Sequence, residues 1–321
     1  MAERGVRMNI WNGLDALPDD LGPVVASIGK CDGVHLGHQE ILRRVVAEAK
    51  RDGLAALLIS FDPHPTAVLA PDRMPRLLQT RRQKMASLDQ TGITDFLILD
   101  FDERLSALSG EEFFSDLLLP RLQLTSVFVG ENFRFGHERA GDVKLLSEIG
   151  EREGFAVHGV PPVVLDGEMI SSSVIRTAIE QGDPELAQRM LGRPYEVTGE
   201  VVEGSGRGRG LQFPTANLLV ENELLPRAGV YVTETVALAS RHPSVTNVGV
   251  RPTFGGRVLT VETHLLEFDD DLYTERVEVR FLARVRDEMR FDSAMELADQ
   301  IARDRAAALS YFQHARIEIP R

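Results

Sequence analysis

Short apolar runs alternate with amphipathic stretches between residues 24 and about 190, a pattern typical of strands and helices wound into a parallel sheet. The predicted strands are Val24 to Ile28, Leu54 to Phe61, Asp95 to Leu99, Ser126 to Val129 and Phe155 to Val160. A first helix is predicted from about His38 to Arg51, and Gly53 is placed to end it. Further helices are predicted around Met85 and Leu88, over Phe113 to Leu118 behind the capping residue Ser109, and from near Gly141 and Ser173.

The pattern changes after the helical stretch LAQRMLGRP, because strands then follow one another without a long intervening helix. The predicted antiparallel strands are Tyr195 to Val202, Gly229 to Leu238, Ser244 to Val250, Val258 to Phe268 and Arg276 to Val285. A closing helix is predicted from Ser293 to Phe312, with Leu297, Ile301 and Leu309 broadly on one side. We therefore predict an α/β domain over residues 1–190 and an all-β domain over residues 191–321.

Composition narrows the class of protein. The 321 residues, 43% of them hydrophobic, suffice for two buried cores. A net charge of −13 argues against a broad nucleic-acid surface, so anionic ligands need local donors. The single cysteine excludes an internal disulfide, and neither a signal peptide nor an apolar run of about 18 residues is present. We expect a soluble, cytoplasmic protein without nucleic-acid or membrane partners, and its oligomeric state stays open.

Two histidines follow the first predicted strand in the segment SIGKCDGVHLGHQEIL, residues 27–42. A helix N-terminus presents free backbone N–H groups and a partial positive charge, so an anion can bind there. His35 and His38 are three positions apart and can face one phosphate chain, and Gly37 leaves room for close approach. Taken alone, a histidine in a turn is more often structural.

Three further segments fall where the carboxyl ends of sheet strands are expected, which is where open α/β sheets bind ligands. They are SFDPHP at 60–65, GENFRFGH at 130–137 and ISSSVIR at 170–176. Together with HLGH, they resemble the adenylyltransferase half of the bacterial bifunctional riboflavin kinase/FAD synthetases, which belongs to the HxGH nucleotidyltransferase superfamily with a Rossmann-like fold.

This resemblance implies roles for individual residues. His35, His38 and Arg176 would act at the phosphates, with Ser171 and Ser172 as hydroxyl donors, although each serine is equally well explained as a helix cap. The further nucleotide-binding residues implied are Gly29, Asp32, Gly37 and Asn132, and the flavin-binding residues are Phe61, Pro63, His64, Phe133 and Phe135. Cys31 stands where the family usually has Phe, and Asn132 stands where Asp is common.

A glycine-rich basic segment, GSGRGRGLQFPTAN, covers residues 204–217. Glycines let backbone amides surround phosphate oxygens, and Thr215 and Asn217 offer oxygen ligands that magnesium accepts. A flexible turn is the alternative reading, because GxxxxGK[ST] is absent and lone glycine motifs are weak.

Four further segments follow it: GVYV at 229–232, NVGVRPTFGG at 247–256, VETHLLEFDDDLY at 261–273 and VRDEMRF at 285–291. Together with the glycine-rich segment, they resemble the riboflavin kinase module, a six-stranded antiparallel barrel with a terminal helix. The resemblance implies that Gly208, Thr215 and Asn217 bind nucleotide, that Thr215 and Asn217 bind Mg²⁺, and that Glu262 is the catalytic base. Arg286 and Phe291 would contact flavin, and helix packing or a surface ion pair is their alternative. Gln212 and Thr274 replace usual glycines.

The chemistry agrees with a base in this half, because the ribityl hydroxyl of riboflavin is neutral and its proton must leave during phosphoryl transfer. Without the resemblance, Glu262 reads as a solvent-facing strand glutamate. We predict that riboflavin and ATP give FMN and that FMN and ATP give FAD and pyrophosphate, with Mg²⁺ required. The alternatives are a riboflavin kinase alone, or a flavin sensor without turnover.

Overall fold

Two compact units make up the computed structural model of this chain, which describes residues 8–203, 215–253 and 256–314. The division falls between Ile170 and Ser171, earlier in the chain than the boundary predicted at residue 190. The two helices that lie between these positions explain the difference, because the second of them packs on strands of the second unit.

A parallel sheet forms the first unit, as predicted, and its six strands, one more than predicted, lie in the order β1-β4-β3-β2-β5-β6. Its strands are β1 (Asn9–Asn12), β2 (Pro23–Ile28), β3 (Ala55–Asp62), β4 (Asp95–Asp100), β5 (Gln123–Gly130) and β6 (Ala156–Val160). A short antiparallel hairpin follows, comprising β7 (Val164–Leu165) and β8 (Glu168–Met169). The sequence analysis missed β1 and this hairpin, which are short and partly exposed.

The helices of the first unit begin at side-chain caps. They are α1 (Leu36–Asp52), α2 (Pro65–Leu69), α3 (Arg81–Asp89), α4 (Glu103–Ala107), α5 (Gly110–Glu112) and α6 (Val143–Glu153). Helix α5 continues into a π-helical turn over Phe113–Leu118. Ser109 and Glu112 form a reciprocal capping box at α5, and Gly53 ends α1 at φ +70°, both as predicted.

The central strands are buried on both faces. Val25 on one face packs with Leu42 and Val45 of α1, and Val24 on the other packs with Phe114 and Ile149. Helices therefore cover both sides of the sheet, which explains why these strands read as continuous apolar runs. Strand β2 lies between β3 and β5, so the chain order reverses at its carboxyl end, and such switch points are where open α/β sheets bind ligands.

The second unit is built on a closed antiparallel barrel in the order β10-β13-β12-β11-β14-β9, which confirms the predicted six-stranded architecture. Helices α7 (Ser172–Gln181) and α8 (Pro184–Leu191) precede it, and α8 packs on β9 and β14. The strands are β9 (Tyr195–Val202), β10 (Ala216–Val220), β11 (Gly229–Ala237), β12 (Ser240–Thr253), β13 (Gly256–Leu265) and β14 (Arg276–Arg286).

Hydroxyl groups fill part of the barrel interior. Five side chains of β11, β12 and β13 are fully buried and joined by hydrogen bonds of 2.7–3.2 Å: Thr233, Thr235, Ser244, Thr246 and Thr263. Their partners satisfy one another, so their burial leaves few unmet polar groups. The network also fixes the register of these three strands, since each hydroxyl bonds across a strand pair.

A last helix, α9 (Ala294–His314), packs on β11 and β12, close to the predicted range. Its buried residues are Asp304, Ala308 and Phe312, so a carboxylate lies in the middle of the packed face. No helix in the described ranges has the length and apolar character needed to cross a membrane.

Candidate active sites

His35 and His38 lie together where the turn after β2 enters α1. His35 is the N-cap of α1, and its Nδ1 accepts a hydrogen bond from the backbone N–H of His38 at 3.4 Å. The two imidazole rings stack with their centroids 3.7 Å apart. A Cβ atom at residue 37 would lie 3.1 Å from Nδ1 and Cε1 of His35, so glycine leaves the space that the His35 ring occupies.

Burial, together with the nearby His35 and Lys84, lowers the pKa of His38 well below its usual value. The imidazole is therefore neutral near pH 7 and keeps one donor and one acceptor nitrogen. Nδ1 of His38 is buried and has no hydrogen-bond partner among the described residues. A buried ring nitrogen without a protein partner at a helix N-terminus suits a ligand that brings its own polar atoms.

The turn between β2 and His35 has an unusual backbone. Cys31 and Val34 adopt φ of +48° and +40°, and Gly33 adopts +85°. Both carboxylate oxygens of the buried Asp32 accept from the backbone N–H of Leu78, at 3.0 and 3.2 Å. Asp32 thus has a structural role in this turn, and nucleotide binding by this residue stays a prediction.

Cys31 fills the place of the usual aromatic residue with a free, buried thiol. Desolvation by burial raises the pKa of this thiol to about 11, although Lys84 acts in the opposite direction. The side chain is a neutral packing group at neutral pH, and it lies in the same apolar cluster as Val34 and Leu42.

An apolar cavity of about 610 Å³ opens beside this turn. Its lining includes five of the predicted binding residues: Gly29, Phe61, Asn132, Phe133 and Phe135. The rings of Phe133 and Phe135 stack at 5.4 Å, and Phe61 meets Phe101 edge-on at 5.6 Å. Small-molecule pockets commonly hold roughly 300–1,000 Å³, and aromatic walls suit a planar ligand.

Pro63 and His64 stand apart from this lining in the described part of the chain. His64 caps α2 instead, with its Nδ1 accepting from the N–H of Thr66 at 3.2 Å. The cavity wall also contains residues that sequence reasoning did not name. Some lie inside the quoted motifs, such as Pro65 and Arg134, and others, such as Phe101 and Phe113, lie outside them. The aromatic Phe101 and Phe113 were the available signal.

Ser171, Ser172 and Arg176 belong to the second unit. Ser171 is the N-cap of α7, with its Oγ accepting from the N–H of Val174 at 3.4 Å, so the helix-cap reading holds for this serine. Ser172 and Arg176 are half-buried in the first turns of the helix. Nucleotide binding by all three residues stays a prediction.

A row of three polar residues crosses the outer face of the barrel. In the strand register, Glu262 of β13 is the direct partner of Asn217 on β10 and of Asn247 on β12. Successive strand residues point to opposite faces, so Glu262 faces away from its buried neighbour Thr263. All three side chains of the row are half-buried, which leaves each accessible to a ligand.

Thr215 immediately precedes β10 and is also half-buried. Thr215, Asn217 and Glu262, which sequence reasoning named, thus lie on or next to the paired strands β10 and β13, and their function in one site stays a prediction. Sequence reasoning did not name Asn247. The start of NVGVRPTFGG was the available signal for Asn247. Gly208 and Gln212 lie outside the described residues. Thr274, which replaces a usual glycine, has φ of +66°, a conformation that glycine adopts at less cost.

Arg286 is held by the terminal helix. Its guanidinium makes hydrogen bonds of 2.7–3.1 Å to both carboxylate oxygens of Asp304, whose residue is 3% exposed. The guanidinium also lies 5.9 Å from the ring centroid of Phe291. Helix packing thus accounts for Arg286, and flavin contact by Arg286 and Phe291 stays a prediction.

The potential metal ligands at the barrel site are oxygen atoms. The described residues contain no cluster of three or more His, Cys, Asp or Glu that could hold a metal ion. A hydroxyl, an amide and a carboxylate on neighbouring strands fit Mg²⁺, which usually binds few protein groups and completes its shell with water and phosphate oxygens.

Comparison with known proteins divides the chain in the same way as its folds. The FAD synthetase family model matches residues 17–174, and the riboflavin kinase family model matches residues 191–312. A bifunctional riboflavin kinase/FMN adenylyltransferase from Escherichia coli K12 is 37% identical over 289 residues, covering 90% of this chain and 92% of the relative.

A second curated relative and one solved structure extend this result. The bifunctional riboflavin kinase/FMN adenylyltransferase of Pseudomonas fluorescens is 38% identical, covering 94% of this chain and 97% of the relative. A crystal structure described as a macrolide-efflux protein from Streptococcus pneumoniae matches with a TM-score of 0.86 at 28% identity, covering 94% of this chain and 99% of that one. Both relatives are therefore matched over nearly their whole length.

Proposed function

The chain belongs to the family of bifunctional riboflavin kinase/FMN adenylyltransferases, and from this premise we propose how its residues carry the two reactions. The enzyme phosphorylates riboflavin to FMN and adenylylates FMN to FAD, with ATP as the co-substrate of both steps. We assign FAD formation to residues 1–190 and FMN formation to residues 191–321. The single buried thiol, Cys31, is consistent with a reducing cytoplasm.

FAD formation requires mainly the placement of charged groups. An oxygen of the FMN phosphate attacks the α-phosphorus of ATP, the bond from that phosphorus to the oxygen bridging the β-phosphate breaks, and pyrophosphate leaves. The attacking phosphate is already anionic, so no strong base is needed, and positioning with charge stabilisation is sufficient. We assign the phosphates to His35, His38 and the backbone N–H groups at the start of α1.

The stacked pair His35–His38 is the observation that carries this assignment. His38 contributes a hydrogen bond from a neutral ring, and the helix N-terminus contributes partial positive charge. Ser171, Ser172 and Arg176 are proposed to bind the triphosphate of ATP. Gly29, Asp32, Gly37 and Asn132 complete the proposed nucleotide-binding set.

The aromatic cavity is proposed to bind the isoalloxazine ring of FMN. Phe61, Phe133 and Phe135 supply its apolar walls, and the volume of about 610 Å³ suits one flavin ring system. Pro63 and His64, which lie next to Phe61 in the chain, are proposed to contact the flavin from outside that lining. This arrangement brings the flavin and the phosphate-binding turn to the same edge of the sheet, because Gly29 belongs to both.

FMN formation requires a base. The terminal hydroxyl oxygen of riboflavin attacks the γ-phosphorus of ATP, the bond to the oxygen bridging the β-phosphate breaks, ADP leaves, and the hydroxyl proton goes to Glu262. The register of Glu262 beside Asn217 supports this role, since it places a carboxylate next to a proposed phosphate ligand. Gly208 is proposed to bind phosphate, and Arg286 and Phe291 to contact the flavin.

Magnesium is proposed to bind at Thr215 and Asn217. When bound, it would shield and orient the triphosphate of ATP. Thr215 and Asn217 supply the hydroxyl and amide oxygens, and Glu262 remains available for the proton because it is not assigned as a metal ligand.

The two activities are tested by supplying purified protein with riboflavin, ATP and Mg²⁺ and separating the flavins over time. FMN should appear first and then decline as FAD accumulates. Accumulation of FMN alone would restrict the activity to the kinase, and unchanged riboflavin would identify a binding protein. Omitting Mg²⁺ in the presence of EDTA should stop both steps.

A further inference from the structure

A lysine on α3 reaches the turn that carries the two histidines. The start of α3 is fixed by a reciprocal capping box between Thr80 and Gln83. From the next position, Nζ of Lys84 donates to the backbone carbonyl of Lys30 at 2.7 Å and to Oγ of Ser60 at 3.2 Å. The same ammonium lies 5.5 Å from the ring centroid of Phe96. One side chain therefore ties together the turn after β2, strand β3 and the helix layer.

This turn needs external support. Cys31 and Val34 have left-handed φ values, and non-glycine residues keep such conformations only where the surroundings impose them. Lys84 holds the carbonyl on one side of Cys31, and the Leu78 N–H holds the Asp32 carboxylate on the other. The backbone between β2 and the N-cap of α1 is thus fixed at two points by residues outside it.

Lys84 also places a positive charge behind the histidines. Burial lowers the pKa of Lys84, while Cys31, Asp32 and Asp62 raise it and Arg81 lowers it further. Burial is the largest cause of the lowered pKa of His38, and His35, from the same turn, and Lys84, from α3, lower it further. A cation here disfavours a proton on His38 and adds to the attraction for phosphate from the start of α1.

We propose that Lys84 is a positioning residue for FAD formation, which fixes the histidine-bearing turn through its hydrogen bond to the Lys30 carbonyl and holds a positive charge near the His38 ring. The proposal rests on the assignment of His35 and His38 to the FMN-adenylylating site. It assigns Lys84 no contact with substrate. Lys84 acts through the turn and through its charge.

The test compares Lys84→Met, Lys84→Arg and the control Arg82→Met, which removes an exposed cation from the same helix. Steady-state FAD formation from FMN is measured beside FMN formation from riboflavin, which serves as an internal control in the same chain. Lys84→Met should lower kcat for FAD formation by about 10- to 100-fold, the loss expected for one charged hydrogen bond, with KM changed far less. Lys84→Arg should recover part of that loss, and Arg82→Met should behave as wild type.

The ring pKa of His38, followed by NMR and assigned by comparison with His38→Ala, separates positioning from a general loss of packing. Lys84→Met should raise this pKa, which stays below its ordinary value because burial and His35 still lower it. Unchanged FAD formation in Lys84→Met, or a loss of kcat with the pKa of His38 unmoved, would overturn the proposal.

If Lys84→Met does not fold, Lys84→Gln carries the test, because its amide still donates to the Lys30 carbonyl while the charge is gone. Lys84→Gln should then raise the pKa of His38. It should also retain more FAD formation than a variant whose side chain cannot donate to the Lys30 carbonyl. An unmoved pKa of His38 would count against the proposal. Failure of His38→Ala to impair FAD formation would instead contradict the site assignment itself.

Discussion

The ring of His35 lies against that of His38 with a centroid separation of 3.7 Å, while its Nδ1 accepts from the backbone of the same partner. One histidine therefore caps the helix, and the other presents a buried nitrogen with no protein partner in the described ranges. The two histidines of the HLGH motif therefore differ in their hydrogen bonding, since His35 caps α1 and Nδ1 of His38 is unpartnered among the described residues.

Replacing His38 with alanine should lower FAD formation from supplied FMN by about 100-fold, because a phosphate-binding donor is lost from the site. FMN formation from riboflavin should be unchanged. Separation of flavins after single-substrate assays measures both activities in one preparation. Loss of both activities in a folded variant would contradict the division of labour between the units.

The reverse result is expected for Glu262→Gln. Without a proton acceptor, FMN formation should fall by about 100-fold or more, while FAD formation from FMN stays at the wild-type level. Glu200→Gln is the matched control, since Glu200 is an exposed glutamate on another strand of the barrel. Equal losses in both variants would mean that the carboxylate of Glu262 has no special function.

Gly37→Ala should separate stability from activity. Alanine favours a helix by about 1 kcal/mol over glycine, so the variant gains local stability unless the new Cβ displaces the His35 ring from its 3.1 Å contact. We expect FAD formation to fall at least about tenfold while the unfolding midpoint changes little. Steady-state kinetics of FAD formation and thermal unfolding measure these two effects. Full activity would show that the His35 ring can move without consequence.

The Arg286–Asp304 ion pair should contribute to the free energy of unfolding of the barrel unit. Asp304→Ala leaves a guanidinium that is only 17% exposed without its carboxylate, and breaking a buried pair typically costs roughly 3–5 kcal/mol. Denaturant unfolding measures the loss. Asp299→Asn, an exposed aspartate of the same helix, is the control and should be neutral. A small effect of Asp304→Ala would place α9 outside the cooperative unit.

Cys31 should resist alkylation. Burial raises the pKa of the Cys31 thiol to about 11, so its thiolate fraction at pH 8 is about 100-fold below that of a thiol with a pKa near 9. Burial also slows access of the reagent to the sulfur. Iodoacetamide labelling of native and urea-denatured protein, read by mass spectrometry, tests this on the single cysteine. Rapid labelling of the native protein would show that the turn opens.

The raised pKa of Cys31 in the folded protein also predicts a pH effect. The free energy of unfolding should fall as the pH rises from about 9 to about 11, because the thiol then ionises more readily in the unfolded chain.

Much of the fold could be read from the sequence because its strongest signals are local. The buried central strands are continuous apolar runs, and clear capping residues mark the start of α5 at Ser109 and the end of α1 at Gly53. Strand β10 was read only as part of a turn, since Pro214 and the short polar run hide a strand whose pairing with β9 and β13 is non-local.

The sites were predictable to the extent that motifs mark them. His35, His38, Asn217 and Glu262 lie in recognisable segments. Asn247 opens another such segment, but its place beside Glu262 is given only by the strand register. Lys84 belongs to no motif, and its importance depends on a contact with a carbonyl 54 positions earlier. Such contacts depend on packing between helices and strands, which periodicity does not report.

The helix that pairs with Arg286 follows the strands of the barrel in the chain. A ribosome releases Arg286 before Asp304, so the nascent barrel carries a guanidinium without its carboxylate partner until α9 has been made.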